Sequence, residues 1–123
     1  MPAAAPTVLV VDDEPTPRTM ICRMLLALGY QVRTASDPRE ALRVLQQHRR
    51  EIKLVLTGVV TPDMDGGELA ERARHLDPRV RVVVMSRGPR NGSCPELPYI
   101  EKPLTSVALQ RVLVPLLSPH PTV

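Results

Sequence analysis

The chain contains no phenylalanine and no tryptophan, and only two tyrosines occur among its 123 residues. Nothing in this composition could sandwich a flavin, and there is neither an aromatic platform nor a helix-turn-helix or RNA-binding motif to support nucleic-acid binding. The core must therefore be built from Val, Leu, Ile, Met and Ala. Only two cysteines are present, Cys22 and Cys94. They form no disulfide framework and no metal pair, which suits a reducing cytoplasm.

Long apolar segments are missing as well. The longest apolar run of the N-terminus, Val8 to Val11, is too short to cross a bilayer, and the N-terminus does not have the pattern of a signal peptide. We therefore expect a cytoplasmic protein that binds neither membranes nor nucleic acid. The formal net charge of +3 implies only a weak electrostatic bias. We interpret the basic run His48-Arg49-Arg50 as a solvated helix end.

Short β-branched runs alternate along the chain with segments of helical spacing. Asp37, Pro38 and Glu40 are typical of a capped helix start, and Gly29 is typical of a helix end. Runs such as Thr7–Val11 favour strands buried on both faces. The alternation predicts an α/β domain over residues 7–117, with a parallel sheet covered by helices on both faces. Residues 1–6 and 118–123 are predicted to be flexible tails.

Polar residues follow the predicted strands at the edge where ligands bind in open parallel sheets. They are Asp12 and Asp13 after the first strand, Thr57 and Gly58 at the end of the third, Ser86 after the fourth and Lys102 after the fifth. Adjacent carboxylates repel each other unless a cation, a lysine or protonation relieves them. We interpret this edge as a pocket, although simple capping of the next helix by Asp12 and Asp13 stays open.

These residues occur in the order and spacing of a known family. Val10-Val11-Asp12-Asp13-Glu14 resembles the acidic start of a response-regulator receiver domain, and the segment from Leu54 to Gly66 resembles its phosphorylation loop. Ser86, Tyr99 and Lys102-Pro103 resemble its hydroxyl, aromatic-switch and lysine–proline positions. The resemblance covers about Thr7 to Leu117.

The resemblance implies a flavodoxin-like, doubly wound, five-stranded parallel sheet of order 2-1-3-4-5, with a cis Lys102-Pro103 peptide. Only 16 positions separate Ser86 from Lys102, fewer than is usual in receivers. The segment contains several prolines and glycines, which disfavour a regular helix. We therefore expect the family's fourth helix to be shortened or lost.

In receivers, the resemblance implies, a histidine kinase passes a phosphoryl group to an aspartate after the third strand. That aspartate, an early acidic residue and a backbone carbonyl, here that of Val60, hold Mg²⁺. The resemblance also implies that Ser86 and Lys102 would bind the phosphoryl oxygens while Tyr99 turns inward.

Gly58 stands at the acceptor position, and glycine cannot form an acyl phosphate. The substitution also removes an oxygen ligand, so we expect Mg²⁺ binding through Asp12, Asp13 and Val60 to be weak or lost. Lys102 is then expected to pair with Asp12 or Asp13, which would give a fixed state.

The sequence therefore predicts a pseudo-receiver, which is a non-enzymatic protein-interaction module of two-component signalling. Its expected partners are a histidine kinase or another regulator, and a homodimer stays open. One alternative is a phosphotransfer receiver that uses Asp63 or Asp65 as acceptor, although Asp65-Gly66 is typical of a turn. Another is a small phosphatase-like enzyme with Asp12 as nucleophile, but no phosphate-cradling glycine loop follows the first strand.

Overall fold

The computed structural model describes residues 5–58, 66–86 and 97–117, apart from the side chain of Ser86. These residues form five strands and four helices. In chain order they are β1 (Thr7–Val11), α1 (Pro15–Ala27), β2 (Gln31–Ala35), α2 (Pro38–Gln47), β3 (Ile52–Gly58), α3 (Gly66–Leu76), β4 (Arg81–Ser86), β5 (Tyr99–Glu101) and α4 (Ser106–Leu117).

All strand pairs are parallel, and the sheet order is β2-β1-β3-β4-β5. This confirms the predicted order 2-1-3-4-5. The inner strand β1 is buried along its whole length, as its β-branched composition predicts. Helix α1 therefore has to cross one face of the sheet and α2 the other, so that both faces of β1 are covered.

Two apolar clusters fill the two faces of the sheet. On one face, α2 contributes Ala41 and Leu45, and α3 contributes Leu69 and Ala73. On the other face, Ile21 and Leu25 of α1 pack with Leu109 and Leu113 of α4. Each full burial of a Leu or Ile side chain is worth about 2 kcal/mol, so both helix layers are held to the sheet mainly by these contacts.

The helix ends follow the sequence signals. The Asp37 carboxylate accepts a hydrogen bond of 2.8 Å from the Glu40 N–H at the start of α2. Glu40 Oε1 in turn accepts bonds from the Ser36 N–H, at 2.6 Å, and from its hydroxyl, at 2.9 Å. After α1, Gly29 adopts a φ of 98°, a conformation that only glycine adopts without strain.

Element boundaries differ from the predicted ones by a residue or so. Strand β3 ends at Gly58, and β4 includes Ser86, which was predicted to follow it. Helix α4 continues two residues past Pro115 to Leu117. The predicted irregular segment between β4 and β5 lies mostly in residues 87–96, which are outside the described part. Both predicted tails fall mainly on undescribed residues, 1–4 and 118–123.

Two further features of the described residues bear on the predictions. The Lys102–Pro103 peptide is cis, as the family resemblance implies. Cys22 is half-buried beside the apolar cluster that α1 and α4 form on one face of the sheet. Burial raises the pKa of its thiol, and the nearby Arg18 partly offsets that rise. Across the described ranges, each helix is too short or too polar to span a membrane.

Candidate functional site

The strand register brings four of the predicted site residues to one end of the sheet. Val11 pairs with Thr57, so the next residues of the two strands, Asp12 and Gly58, lie beside each other. On the other side of β3, β4 ends at Ser86, which pairs with Glu101. Lys102 follows directly. We call this group, Asp12, Gly58, Ser86 and Lys102, the carboxyl edge.

An ion pair dominates the carboxyl edge. Lys102 Nζ lies 3.0 Å from Asp12 Oδ2, and the two side chains are only 18% and 3% exposed. A carboxylate that is so far removed from water needs a compensating positive charge, and Lys102 supplies it. The sequence left open whether Lys102 would pair with Asp12 or Asp13. Within the described residues the ion pair is with Asp12, while Asp13 is exposed.

Asp12 is also held by its neighbours in the chain. Its Oδ1 accepts a 3.0 Å hydrogen bond from the Glu14 N–H, just before α1 begins. Its backbone N–H donates to the Ala35 carbonyl at 3.1 Å. The N–H that Asp12 accepts belongs to Glu14, the N-cap residue, and not to the first turn of α1. The bond therefore fixes the turn before the helix and does not cap it, while the other carboxylate oxygen lies toward Lys102.

Arg18 contacts the carboxyl edge, although no sequence motif singles it out. Its Nη1 donates a 2.6 Å hydrogen bond to the backbone carbonyl of Asp12. Pro15 marks the helix start, so Arg18 lies one turn into α1 and a long side chain there can reach back to the strand end. That spacing could have identified it. Lys102 and Arg18 thus bring two positive charges to Asp12.

Within the described residues, nothing requires a glycine at position 58. Its φ is not in the left-handed range. Among the described residues, no atom lies within 4 Å of the position that a Cβ would occupy. The preceding residue, Thr57, is buried, and its hydroxyl donates to the Gly58 carbonyl at 3.3 Å. An aspartate or asparagine side chain could therefore start at this position without a clash in the described part of the molecule.

The acidic residues after β1 offer a poor set of donors for Mg²⁺. One carboxylate oxygen from each of Asp12, Asp13 and Glu14 lies within 4.8 Å of the others, so the residues are close enough to share an ion. However, both Asp12 oxygens are already engaged, by Lys102 and by the Glu14 N–H. Gly58 contributes no side-chain oxygen, and Mg²⁺ demands nearly octahedral oxygen ligands. These residues do not fit a tightly held resident Mg²⁺.

The remaining predicted site residues are placed only in part. Tyr99 begins β5, pairs with Val84 and is half-buried against the α2–α3 cluster. Ser86 lies at the carboxyl edge through its backbone. The side chain of Ser86 and the whole of Val60, Asp63 and Asp65 lie outside the described residues.

An apolar groove of about 460 Å³ borders the carboxyl edge. It is lined by Met20 and Met24 of α1 and by Lys102, Pro103 and Leu104 after β5, among others. Met20 is 53% exposed. Lys102 therefore pairs with Asp12 at the strand ends and also lines an accessible apolar surface.

Sequence relatives of the chain occur in signalling proteins. It is 34% identical over 114 residues to the two-component response regulator ORR21 of Oryza sativa subsp. indica, which covers 85% of this chain and 16% of that protein. It is 38% identical over 112 residues to the sensor histidine kinase RcsC of Salmonella typhi, which covers 86% of this chain and 12% of that protein. The chain thus spans less than a fifth of the length of either relative.

Two solved structures with the same fold superpose on nearly all of this chain and over nearly all of their own length. The chemotaxis protein CheY4 of Vibrio cholerae superposes with a TM-score of 0.80 at 26% identity, covering 93% of this chain and all of that one. The receiver domain of the sensor histidine kinase PA1611 from Pseudomonas aeruginosa PAO1 gives 0.79 at 27% identity, covering 92% and 98%. That structure has a magnesium ion coordinated in its active-site cleft.

A family model for the response regulator receiver domain matches residues 8–93, more than half of the chain. The match agrees with the sheet order, with the cis Lys102–Pro103 peptide and with the gathering of Asp12 and Lys102 at the carboxyl edge. The chain therefore belongs to the response regulator receiver domain family of two-component signalling.

Proposed function

We propose that this protein is a pseudo-receiver, a receiver domain that binds a partner protein without being phosphorylated. The observation that carries the proposal is the ion pair between Asp12 and Lys102 beside a residue that has no side chain, Gly58. In this proposal Gly58 occupies the phosphoacceptor position. Because glycine carries no nucleophilic oxygen, no acyl phosphate forms there.

The ion pair provides the physical reason for a constant state. In the proposal, Lys102 pairs with Asp12, which lies 3.0 Å away, and not with a phosphoryl group. Both side chains are largely removed from water, so separating them would leave Asp12 as an uncompensated buried charge. The carboxyl edge is thereby held in one arrangement, and Tyr99 keeps its half-buried packing.

A binding role also needs an accessible surface, and the groove beside Lys102 supports one. Its lining is mostly apolar, and exposed apolar area of this kind is typical of sites where proteins meet. By family membership, the partner is proposed to be a histidine kinase or another regulator. We do not assign the protein a catalytic activity.

The central experiment compares wild type with Gly58→Asp and with Gly58→Asn, a control of equal size that has no carboxylate. Each protein is treated with a small phosphodonor and its intact mass is measured. We expect a phosphoryl adduct on Gly58→Asp alone, because the Cβ fits and the carboxylate restores the nucleophile. Partner recovery in a pull-down should be equal for wild type with and without the phosphodonor.

A stable adduct on the wild type would contradict the proposal and favour the alternative acceptors. Loss of that adduct in Asp63→Asn or Asp65→Asn would identify the acceptor. A wild-type pull-down that changes when the phosphodonor is added would contradict the proposal even without a detectable adduct.

The same variants test the expectation that Mg²⁺ binding is weak or lost. Gly58→Asp adds a negative charge and an oxygen ligand beside Asp12, so its Mg²⁺ affinity should exceed that of wild type by at least about tenfold, and Gly58→Asn should gain much less. Isothermal titration calorimetry with MgCl₂ measures this. Equal affinity in wild type and Gly58→Asp would mean that residue 58 does not contribute to a metal site.

A further inference from the structure

We propose that this protein has a second interaction surface, at the end of the sheet opposite the carboxyl edge, that binds an acidic segment of a partner polypeptide. Its members are the exposed residues Arg49, Arg50, Lys53, Arg79 and Arg81, which we call the basic edge. The proposal does not rest on whether the protein is phosphorylated, since no member of the basic edge belongs to the carboxyl edge.

Two distant chain segments meet to form the basic edge. Arg49 Nη1 donates a 3.2 Å hydrogen bond to the carbonyl of Leu76, which joins the turn after α2 to the end of α3. In the sheet, Arg81 pairs with Leu54, the residue that follows Lys53. Residues 48–53 and 74–81 therefore lie side by side where β3 and β4 begin.

Positive charge is concentrated in these two segments. Residues 48–53 and 74–81 contain six basic and two acidic residues, a net charge of +4, whereas the whole chain has a formal net charge of +3. The rest of the sequence therefore has a net charge of −1. The opposite end of the sheet carries the acidic run Asp12-Asp13-Glu14. The molecule is thus electrically asymmetric along its strands.

The two acidic residues of these segments are already engaged. Glu51 Oε2 lies 3.2 Å from both Arg33 Nη2 and His48 Nδ1. Asp77 Oδ1 lies 3.6 Å from the side chain of Arg79, and it also accepts the Arg79 backbone N–H. They therefore do little to neutralise the other members of the basic edge.

Three members of the basic edge have no ionic partner in the described part of the chain. They are Arg50, Lys53 and Arg81. Basic residues near helix C-termini usually satisfy the last carbonyls, and Arg49 does so. That explanation does not extend to Lys53 and Arg81, which lie in strands.

The chemistry of the surface favours a polypeptide over a nucleic acid. Residues 48–53 and 74–81 contain no Phe, Tyr or Trp side chain on which a base could stack. The helices of the described region meet this surface with their C-terminal ends and do not lie along it, so none is placed to enter a DNA groove. Asp and Glu side chains of a flexible segment can reach separate guanidinium groups and form bidentate bonds.

The test measures binding of a fluorescent peptide of about eight glutamates by anisotropy at low ionic strength, where screening is weak. In the triple variant Arg50→Glu/Lys53→Glu/Arg81→Glu, affinity should fall at least about tenfold. The variant Arg50→Gln/Lys53→Gln/Arg81→Gln introduces no new negative charge and should show a smaller loss in the same direction. It keeps the test valid if the first variant does not fold.

The matched control is Arg23→Glu/Arg39→Glu/Arg111→Glu, which changes the net charge equally at exposed positions on α1, α2 and α4. Its affinity should fall less than about threefold, through the overall charge alone. Gly58→Asp should bind the peptide like wild type. An equal loss in the basic-edge variant and the control would overturn the proposal. So would tighter binding of DNA oligonucleotides of the same charge, or no peptide binding at all.

Discussion

The two ends of the sheet carry their charges in opposite ways. At the carboxyl edge, Asp12 and Lys102 are largely buried and form an ion pair at 3.0 Å. At the basic edge, Arg50, Lys53 and Arg81 are exposed and have no ionic partner among the described residues. The charges of the carboxyl edge are therefore part of the fold, because removing one would strand the other away from water. Those of the basic edge contribute little to folding and remain available to a partner.

The same substitution at the two ends should separate these roles most clearly. Lys102→Met leaves the Asp12 carboxylate buried without its cation, so the free energy of unfolding should fall by about 3 kcal/mol. Lys53→Met removes an exposed charge and should change it by less than about 0.5 kcal/mol. Urea unfolding followed by circular dichroism measures both values.

Equal effects of the two lysine substitutions would contradict the proposed difference between the carboxyl edge and the basic edge. A small loss in Lys102→Met would mean that Arg18, whose guanidinium bonds the Asp12 carbonyl, compensates the carboxylate sufficiently. A large loss in Lys53→Met would mean that the basic edge takes part in folding. In that case its availability to a partner would be in doubt.

Most of the fold could be predicted because its signals are local. The β-branched run Thr7–Val11, the cap at Asp37 and the stop at Gly29 each specify a nearby backbone conformation, and all three are found. The order of the strands followed from the resemblance. The end of β4 was missed by one residue, because the last pairing of a strand depends on its neighbour and leaves no mark in its own sequence.

The site was predictable as a set of residues but not as a set of contacts. The sequence places Asp12, Gly58 and Lys102 at strand ends, and parallel strands bring them together. It does not tell which neighbouring aspartate faces inward. That depends on the direction in which the chain leaves β1, and Asp12 proves to be buried while Asp13 is exposed. The bond from Arg18 to the Asp12 carbonyl likewise depends on how α1 packs.

A smaller contrast lies at the start of α2, where Asp37 is exposed and yet has a fixed contact. Its carboxylate accepts the Glu40 N–H at 2.8 Å. Asp37→Ala removes this cap and should lower the free energy of unfolding by about 1 kcal/mol, whereas Asp37→Asn, which caps equally well, should have almost no effect. Thermal unfolding of the two variants measures the difference. Similar losses of unfolding free energy in both variants would mean that the charge of Asp37 matters and its capping hydrogen bond does not.

The smallest expected effect tests whether hydrogen bonds hold the carboxylate of Glu40, a half-buried residue at the start of α2. Hydrogen bonds from the Ser36 N–H and hydroxyl favour the charged form of Glu40 and lower its pKa from the ordinary 4.5. A lowered pKa in the folded state means that the contribution to stability is present above the ordinary value and is lost as the pH falls through the folded one.

Glu40→Gln should therefore be less stable than wild type at neutral pH, and the difference should shrink as the pH is lowered from about 6 to about 3. Glu71→Gln, an exposed position on α3, is the control for the general effect of removing an acidic charge. Unfolding free energies measured across this pH range decide the matter. If the two variants follow the same pH dependence, the hydrogen bonds of Glu40 add no more to stability than the unpaired charges of the basic edge do.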